Sequence, residues 1–278
     1  VTGYSGLDSL PLPLLGLLLA IGFFVLAMAG NAAHRRFGGK SDGESSEEEQ
    51  VLSTSHLLLA LLLGFTFSMA LGRYDTRREL VVQESNDIGT AWLRAGLYDG
   101  PAAKALQAKL AEYARTRIGG RDTGPGAQQS VRKAGAVLRG EIWKLTAATT
   151  APERSTAQSA SLVAAVNAVL DTGAEREAMI DARVPQRVLV LLIVYSAVSA
   201  FMLGYVLAAS GSRHRVASVV LFVLLSMTIT LILDLDRPQG GYIRVSQQPM
   251  IDLVADIGRP ESATKALEAA PAIPGVVN

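Results

Sequence analysis

The residues that carry chemistry are few, and most fail on spacing. Gly39-Lys40-Ser41 imitates the end of a phosphate-binding loop, in which backbone amides and a lysine cradle phosphates. The glycine required five positions earlier is His34, and no strand precedes it. His34, His56 and His214 lack metal-ligand spacing and fall at the ends of apolar segments, where an interfacial place is expected. The chain has no cysteine, which removes thiolate metal sites, cysteine nucleophiles and disulfides. No Ser/His/Asp arrangement is visible. The sequence therefore reads as a protein that is not an enzyme, with no catalytic residue, metal or cofactor.

Two carboxylate groups carry more information. Glu84 lies within an apolar helical stripe of Leu80, Val81, Ile88 and Trp92. A carboxylate there is costly unless an arginine or backbone amide satisfies it, so it marks an inter-helix junction or a solvent-lined passage. Asn86 and Thr90 are expected to extend that polar cluster. Asp234 follows Ser226 and Thr230 at fourfold spacing at the edge of an apolar run, and Asp236 and Arg237 follow it. Carboxylates at a hydrocarbon edge are paired or functional. The expected pair is Asp234 with Arg73 or Arg237.

The elements that position these groups follow from where charge is absent. Of 278 residues, 18% are charged and 49% hydrophobic. Ser9–Ala33, Gln50–Gly72, Val188–Ser212 and Val216–Leu233 contain no Asp, Glu, Lys or Arg. Each approaches the ~20 apolar residues that cross a bilayer core, which excludes a soluble globular enzyme. The formal net charge of +1 argues against a nucleic-acid partner. Ala27-Met28-Ala29 has the form of a signal-peptide cleavage site, but Val1–Ser9 carries Asp8 and no basic residue, so the segment reads as a span.

The expected fold class is all-α: four transmembrane helices with a helical extramembrane insert between spans two and three. The expected domains are a hairpin of spans one and two (1–72), a helical extramembrane domain (73–187), a second hairpin (188–236) and a C-terminal extramembrane segment and tail (237–278). Span one is placed at Leu10–Gly30, and the acidic run Glu44–Glu49 in a solvated loop. Span two, Leu52–Leu71, meets no breaker and continues to Ala95. Further helices end near Arg117, run over Gln128–Thr149 and Glu153–Val184, and flank a turn at Gly119–Gly126.

The helix from Glu153 would be about 45 Å long if unbroken. Val131, Leu138, Ile142 and Leu145, and then Leu162, Val166, Val169, Gly173 and Ile180, form stripes that require partner helices in the same chain or in a neighbour. Span three is placed at Val188–Ala209 and span four at Val216–Leu233. Tyr242–Val245 reads as extended, Ser246 as the cap of a short helix to Ile257, and the last twenty residues as a poorly ordered tail.

Two spans carry small residues at every fourth position: Ala60, Gly64, Ser68 and Gly72 in span two, and Ser196, Ala200, Gly204 and Ala208 in span three. Such stripes let helix backbones approach closely in lipid, so both are expected packing faces, in one arrangement against each other. Beside the first runs Leu57, Leu61, Phe65 and Met69. This ladder either faces lipid or, with several copies around an axis, lines a hydrophobic constriction that gates by dewetting. Arg73, Arg77 and Arg78 follow as a candidate basic vestibule.

Taken together, Arg73-Tyr74-Asp75, Glu84, Asn86, Gly89 and Trp92, the exit Leu233-Asp234-Leu235-Asp236-Arg237-Pro238, Gly240-Gly241-Tyr242-Ile243 and Ser246–Pro249 resemble the bestrophin-like family of bacterial membrane proteins. That family is similar to bestrophins, pentameric calcium-regulated anion channels whose second span lines a hydrophobic neck. The resemblance implies a homo-oligomeric anion channel in the bacterial inner membrane with Leu61, Phe65 and Met69 as neck residues. No acidic loop of calcium-ligand spacing is present, so calcium gating is not carried over. Arg35, Arg36, Lys40, Arg213 and Arg215 put the short loops in the cytoplasm by the positive-inside rule, which places the middle domain outside. The alternative is a structural or accessory membrane protein whose helical stalk binds a partner complex.

Overall fold

The computed structural model describes residues 10–37, 44–118, 125–209, 215–237 and 241–258. Among these it is all-helical, with no strand. In chain order the helices are α1 (Leu12–Phe37), α2 (Glu44–Ala95), α3 (Pro101–Ile118), α4 (Pro125–Thr150), α5 (Ala157–Asp181), α6 (Gln186–Ala209), α7 (Arg215–Asp236) and α8 (Gln248–Ile257). A 3-10 turn, Ala151–Glu153, precedes α5. Four segments are long and apolar enough to cross a membrane; they lie in α1, in α2, in the stretch ending with α6, and in α7.

Several boundaries differ from the sequence expectation. The acidic run Glu44–Glu49 is the start of α2 rather than a loop, and α1 continues to Phe37. Acidic residues favour a helix N-terminus, where they meet the positive end of the dipole, so the run opens a helix as readily as it solvates a loop. Pro125 and Gly126 belong to α4 and not to a turn; proline is tolerated in a first helical turn. The expected turn at 119–124, the loop residues Lys40 and Ser41, the hinge residues 211–214 and the tail from 259 lie outside the described residues.

The long helix expected over Glu153–Val184 is shorter at both ends. Its 25 residues make α5 about 38 Å long. Residues 182–185 are non-helical, so α5 is not continuous with α6. Pro185 has no N–H to donate and disfavours helical dihedrals at Val184. The Val184 amide donates instead to Asp236 Oδ1 at 2.7 Å. Residues 242–245 form no strand, and Gln247 rather than Ser246 is the cap residue of α8, although Ser246 Oγ accepts the Gln248 amide at 3.2 Å.

The chain divides into two compact units: Val1–Asp75 with Ala182–Arg244, and Thr76–Asp181 with Val245–Asn278. Helix α2 contributes to both. The first unit buries Leu12, Leu15, Phe23, Leu192, Phe222, Ile229 and Ile232 in its core. There α1 packs principally on α6 and then on α7. Glycine is required at this contact, because a Cβ on Gly204 would collide with the Ala27 carbonyl and one on Gly30 with the Phe201 carbonyl.

The core of the second unit joins Ile88 of α2, Leu106, Leu110 and Tyr113 of α3, Leu138 and Ile142 of α4, Leu162, Val166 and Val169 of α5, and Met250 of α8. Gly100, with φ of 107°, turns the chain from α2 into α3 in a conformation that other residues rarely adopt.

Candidate pore face and polar junctions

On α2 the residues Leu57, Leu61, Phe65 and Met69 are all exposed in the single chain, Phe65 with 66% of its surface accessible. Ala60, Gly64, Ser68 and Gly72 beside them are exposed too, and a Cβ on Gly64 or Gly72 would meet nothing within 4 Å. The span-three stripe behaves differently. Ser196, Ala200 and Gly204 are buried and Ala208 is half-buried, with Gly204 against α1. The two small-residue stripes therefore do not pack on each other within a chain. Small residues permit close approach without specifying a partner, and α1 takes the place that the spacing offered to span two.

The three arginines leaving span two do not share one environment. Arg78 is exposed, Arg73 is half-buried and Arg77 is buried. Arg77 is thus no open vestibule residue in the single chain.

The exit from α7 is organised by its carboxylates. Asp234 accepts the Tyr242 amide on Oδ1 at 2.7 Å and the Ile243 amide on Oδ2 at 3.2 Å. Gly241 lies so close that a Cβ there would collide with Asp234 Oδ1. The expected partners, Arg73 and Arg237, are replaced by backbone amides, because the chain after the helix folds back over its end and presents unpaired N–H groups. Arg237 donates from Nη1 to the Leu10 carbonyl at 3.2 Å. Asp236, through the Val184 amide, fixes the break before α6.

Glu84 is fully buried, at 0% exposure. Arg176 Nη1 of α5 donates to Glu84 Oε2 at 2.5 Å, and the Tyr113 hydroxyl of α3 donates to Oε1 at 3.1 Å. Arg117 Nε lies 2.7 Å from Oε1, but its N–H is not aimed at the oxygen, so this is a charge contact and not a hydrogen bond. Arg176 Nη2 also donates to Gln247 Oε1 at 2.5 Å, which ties in the segment before α8.

A second carboxylate, Glu177, takes Arg139 on both oxygens, at 2.6 and 3.3 Å, and Arg117 Nη1 at 3.2 Å. Gly173 leaves room for this network, since a Cβ there would stand 2.5 Å from the Tyr113 hydroxyl. Burial pushes the Tyr113 phenol up to about 12. The Glu177 carboxylate holds the Arg139 guanidinium above its ordinary value.

Asn86 and Thr90 are exposed and take no part in the cluster, because they lie on the opposite side of α2 from Glu84. Asp87 extends the polar face instead, accepting the Thr172 hydroxyl at 2.6 Å. Tyr113, Arg117, Arg176, Glu177 and Gln247 were not singled out from the sequence. Only the position of Arg176 in line with the Leu162–Gly173 stripe pointed to an inward cation.

His34 sets its ring edge-on to Tyr205 at 4.9 Å, and the His56 ring lies 2.9 Å from the Leu52 carbonyl of its own helix. His214 is outside the described residues. Among the described residues no group of His, Asp and Glu has the arrangement of a metal site.

The profile of the Bestrophin-like domain matches residues 21–250, most of the chain. The chain belongs to the bestrophin-like family. No curated protein matches the sequence. The fold is similar to crystal structures of a bacterial bestrophin homolog from Klebsiella pneumoniae. One variant of that homolog aligns with a TM-score of 0.65 at 14% identity, over 90% of this chain and 99% of that chain. The structure phased with zinc aligns at 0.63 and 15% identity, over 88% and 95% of the two chains. A further crystal structure, described as a membrane protein, aligns at 0.60 and 13% identity over 93% and 99%. At such identities the likeness establishes a bestrophin-like fold, and activity is a separate matter.

Proposed function

We propose that several copies of this bestrophin-like chain assemble around an axis into an anion channel of the bacterial inner membrane. In this reading α2 lines the pore, and Leu61, Phe65 and Met69 form a hydrophobic neck that conducts or closes by wetting and dewetting. The observation that carries it is the face of α2. A ladder of bulky apolar residues and a stripe of small ones lie side by side, both uncovered by the chain's own helices. Small residues suit the approach of a neighbouring copy, and the bulky ladder suits a narrow, dry passage. Arg73 and Arg78 follow on the same helix and raise the local concentration of anions. The middle helical region faces the non-cytoplasmic side, with Arg35 and Arg36 on the cytoplasmic side.

Purified protein in planar bilayers tests this reading. Anion-selective current that rises when Phe65 or Leu61 becomes alanine supports it; a sealed bilayer, with protein shown to be inserted, rejects it.

A further inference from the structure

The first unit contains an apolar groove of about 270 Å³, walled by Ala20, Ile21 and Phe24 of α1 and by Val219, Phe222 and Val223 of α7. Phe222 is buried against Phe23, with ring centroids 6.5 Å apart, and forms the inner side. Ile21, Phe24, Val219 and Val223 are largely exposed, so the groove opens sideways. No polar side chain lines it. At this position in two spans it opens into hydrocarbon, and a hydrocarbon chain is the occupant its lining can hold without leaving a polar group unpaired.

Beyond the groove, α1 adds charge. Arg35 stands eleven residues beyond Phe24 on α1, three helical turns, and so falls nearly on the same face about 16 Å along the axis. Exposed Met28 lies between them. Arg35 is exposed, beyond the last apolar turn, at the level of lipid headgroups. An apolar groove with a guanidinium about 16 Å further along the same helix face has the polarity pattern of one lipid molecule: an acyl chain inside the span and a phosphate at the interface.

We propose that the α1/α7 groove is a binding site for an anionic diacyl phospholipid, one acyl chain between Ile21 and Val223 and the headgroup phosphate on Arg35. The site selects negative headgroups through Arg35 and retains the chain through the groove walls. It is independent of ion conduction, so the channel reading can fail while this site stands.

Spin-labelled phosphatidylglycerol and phosphatidylcholine, added to the full-length protein in phosphatidylcholine bilayers, read out the site by electron paramagnetic resonance as a motionally restricted population. The wild type is expected to favour phosphatidylglycerol several-fold. Arg35→Gln is expected to reduce that preference about fivefold, the value of one arginine near an anionic surface. Ala20→Trp, which fills the groove, is expected to lower the restricted population of both labels; Val219→Trp on the other wall serves if Ala20→Trp does not assemble. Equal binding of the two lipids by the wild type, an unchanged preference in Arg35→Gln, or an unchanged restricted population in both groove variants overturns the proposal.

Discussion

Arg176 of α5 donates from Nη1 to Glu84 Oε2 of α2 at 2.5 Å, across ninety-two residues of sequence. This bond and the Tyr113 hydroxyl satisfy a carboxylate that would otherwise be buried without compensation. The pair belongs to the helical unit made of α3, α4, α5, α8 and the end of α2, and it determines how that unit responds to substitution.

Removing one partner strands the other. Glu84→Ala leaves Arg176, itself buried, with the neutral Gln247 as acceptor and no carboxylate partner, and leaves Arg117 without its nearest carboxylate. The expected loss is about 3–5 kcal/mol of stability in the helical unit, whereas Glu84→Gln, which keeps an acceptor, loses less. Denaturation of both variants in detergent checks the order. Equal stability of Glu84→Ala and the wild type would show that the cluster is not the anchor described.

Tyr113 gives the same cluster a pH signature. Its phenol is pushed up to about 12 by burial, against an ordinary value of 10.0. The unfolded chain then ionises first as pH rises. The contribution is fully present below pH 10 and is lost between about pH 10 and 12, with a magnitude on the order of 2 kcal/mol. Tyrosinate absorbance of the folded protein is expected to show a late step from Tyr113, and Tyr113→Phe to remove that step. A late step that persists in Tyr113→Phe belongs to another residue.

The small-residue stripes separate folding from assembly. Gly204→Leu drives a side chain into the Ala27 backbone and is expected to disrupt α1 against α6, lowering the melting temperature. Gly64→Leu meets open space in the single chain and is expected to keep that melting temperature while weakening the oligomer. Light scattering coupled to gel filtration, beside a thermal melt, distinguishes the two. An intact oligomer in Gly64→Leu argues against that face as the contact between copies.

Orientation is open to a direct measurement because the chain has no cysteine of its own. Lys144→Cys, on an exposed position of α4, is expected to react with an impermeant thiol reagent from the outside of intact spheroplasts. Reaction only after lysis reverses the assigned orientation.

The sequence made the apolar spans and the buried stripes legible, because both follow from local composition and period. Glu84 stood out for the same reason: it interrupts a stripe. What stayed hidden depends on distant parts of the chain. Nothing near Asp234 announces that its acceptors will meet the amides of Tyr242 and Ile243, which become neighbours only when the chain turns back over the end of α7. Pro185 is the local signal for the break before α6, where the helix expected to run to Val184 stops at Asp181. The contrast between Gly204, enclosed by α1, and Gly64, left open, could not be read from two stripes of the same spacing.

In the proposed channel Phe65 lines an ion-conducting pore. Phe65→Cys in this cysteine-free chain, recorded in planar bilayers, tests it most directly. The expected result is an anion current that a bulky, water-soluble thiosulfonate abolishes and a reducing agent restores, while the current of Val223→Cys, at an exposed position of α7, is unaffected. A Phe65→Cys current that continues unchanged after complete modification, verified by mass, contradicts it.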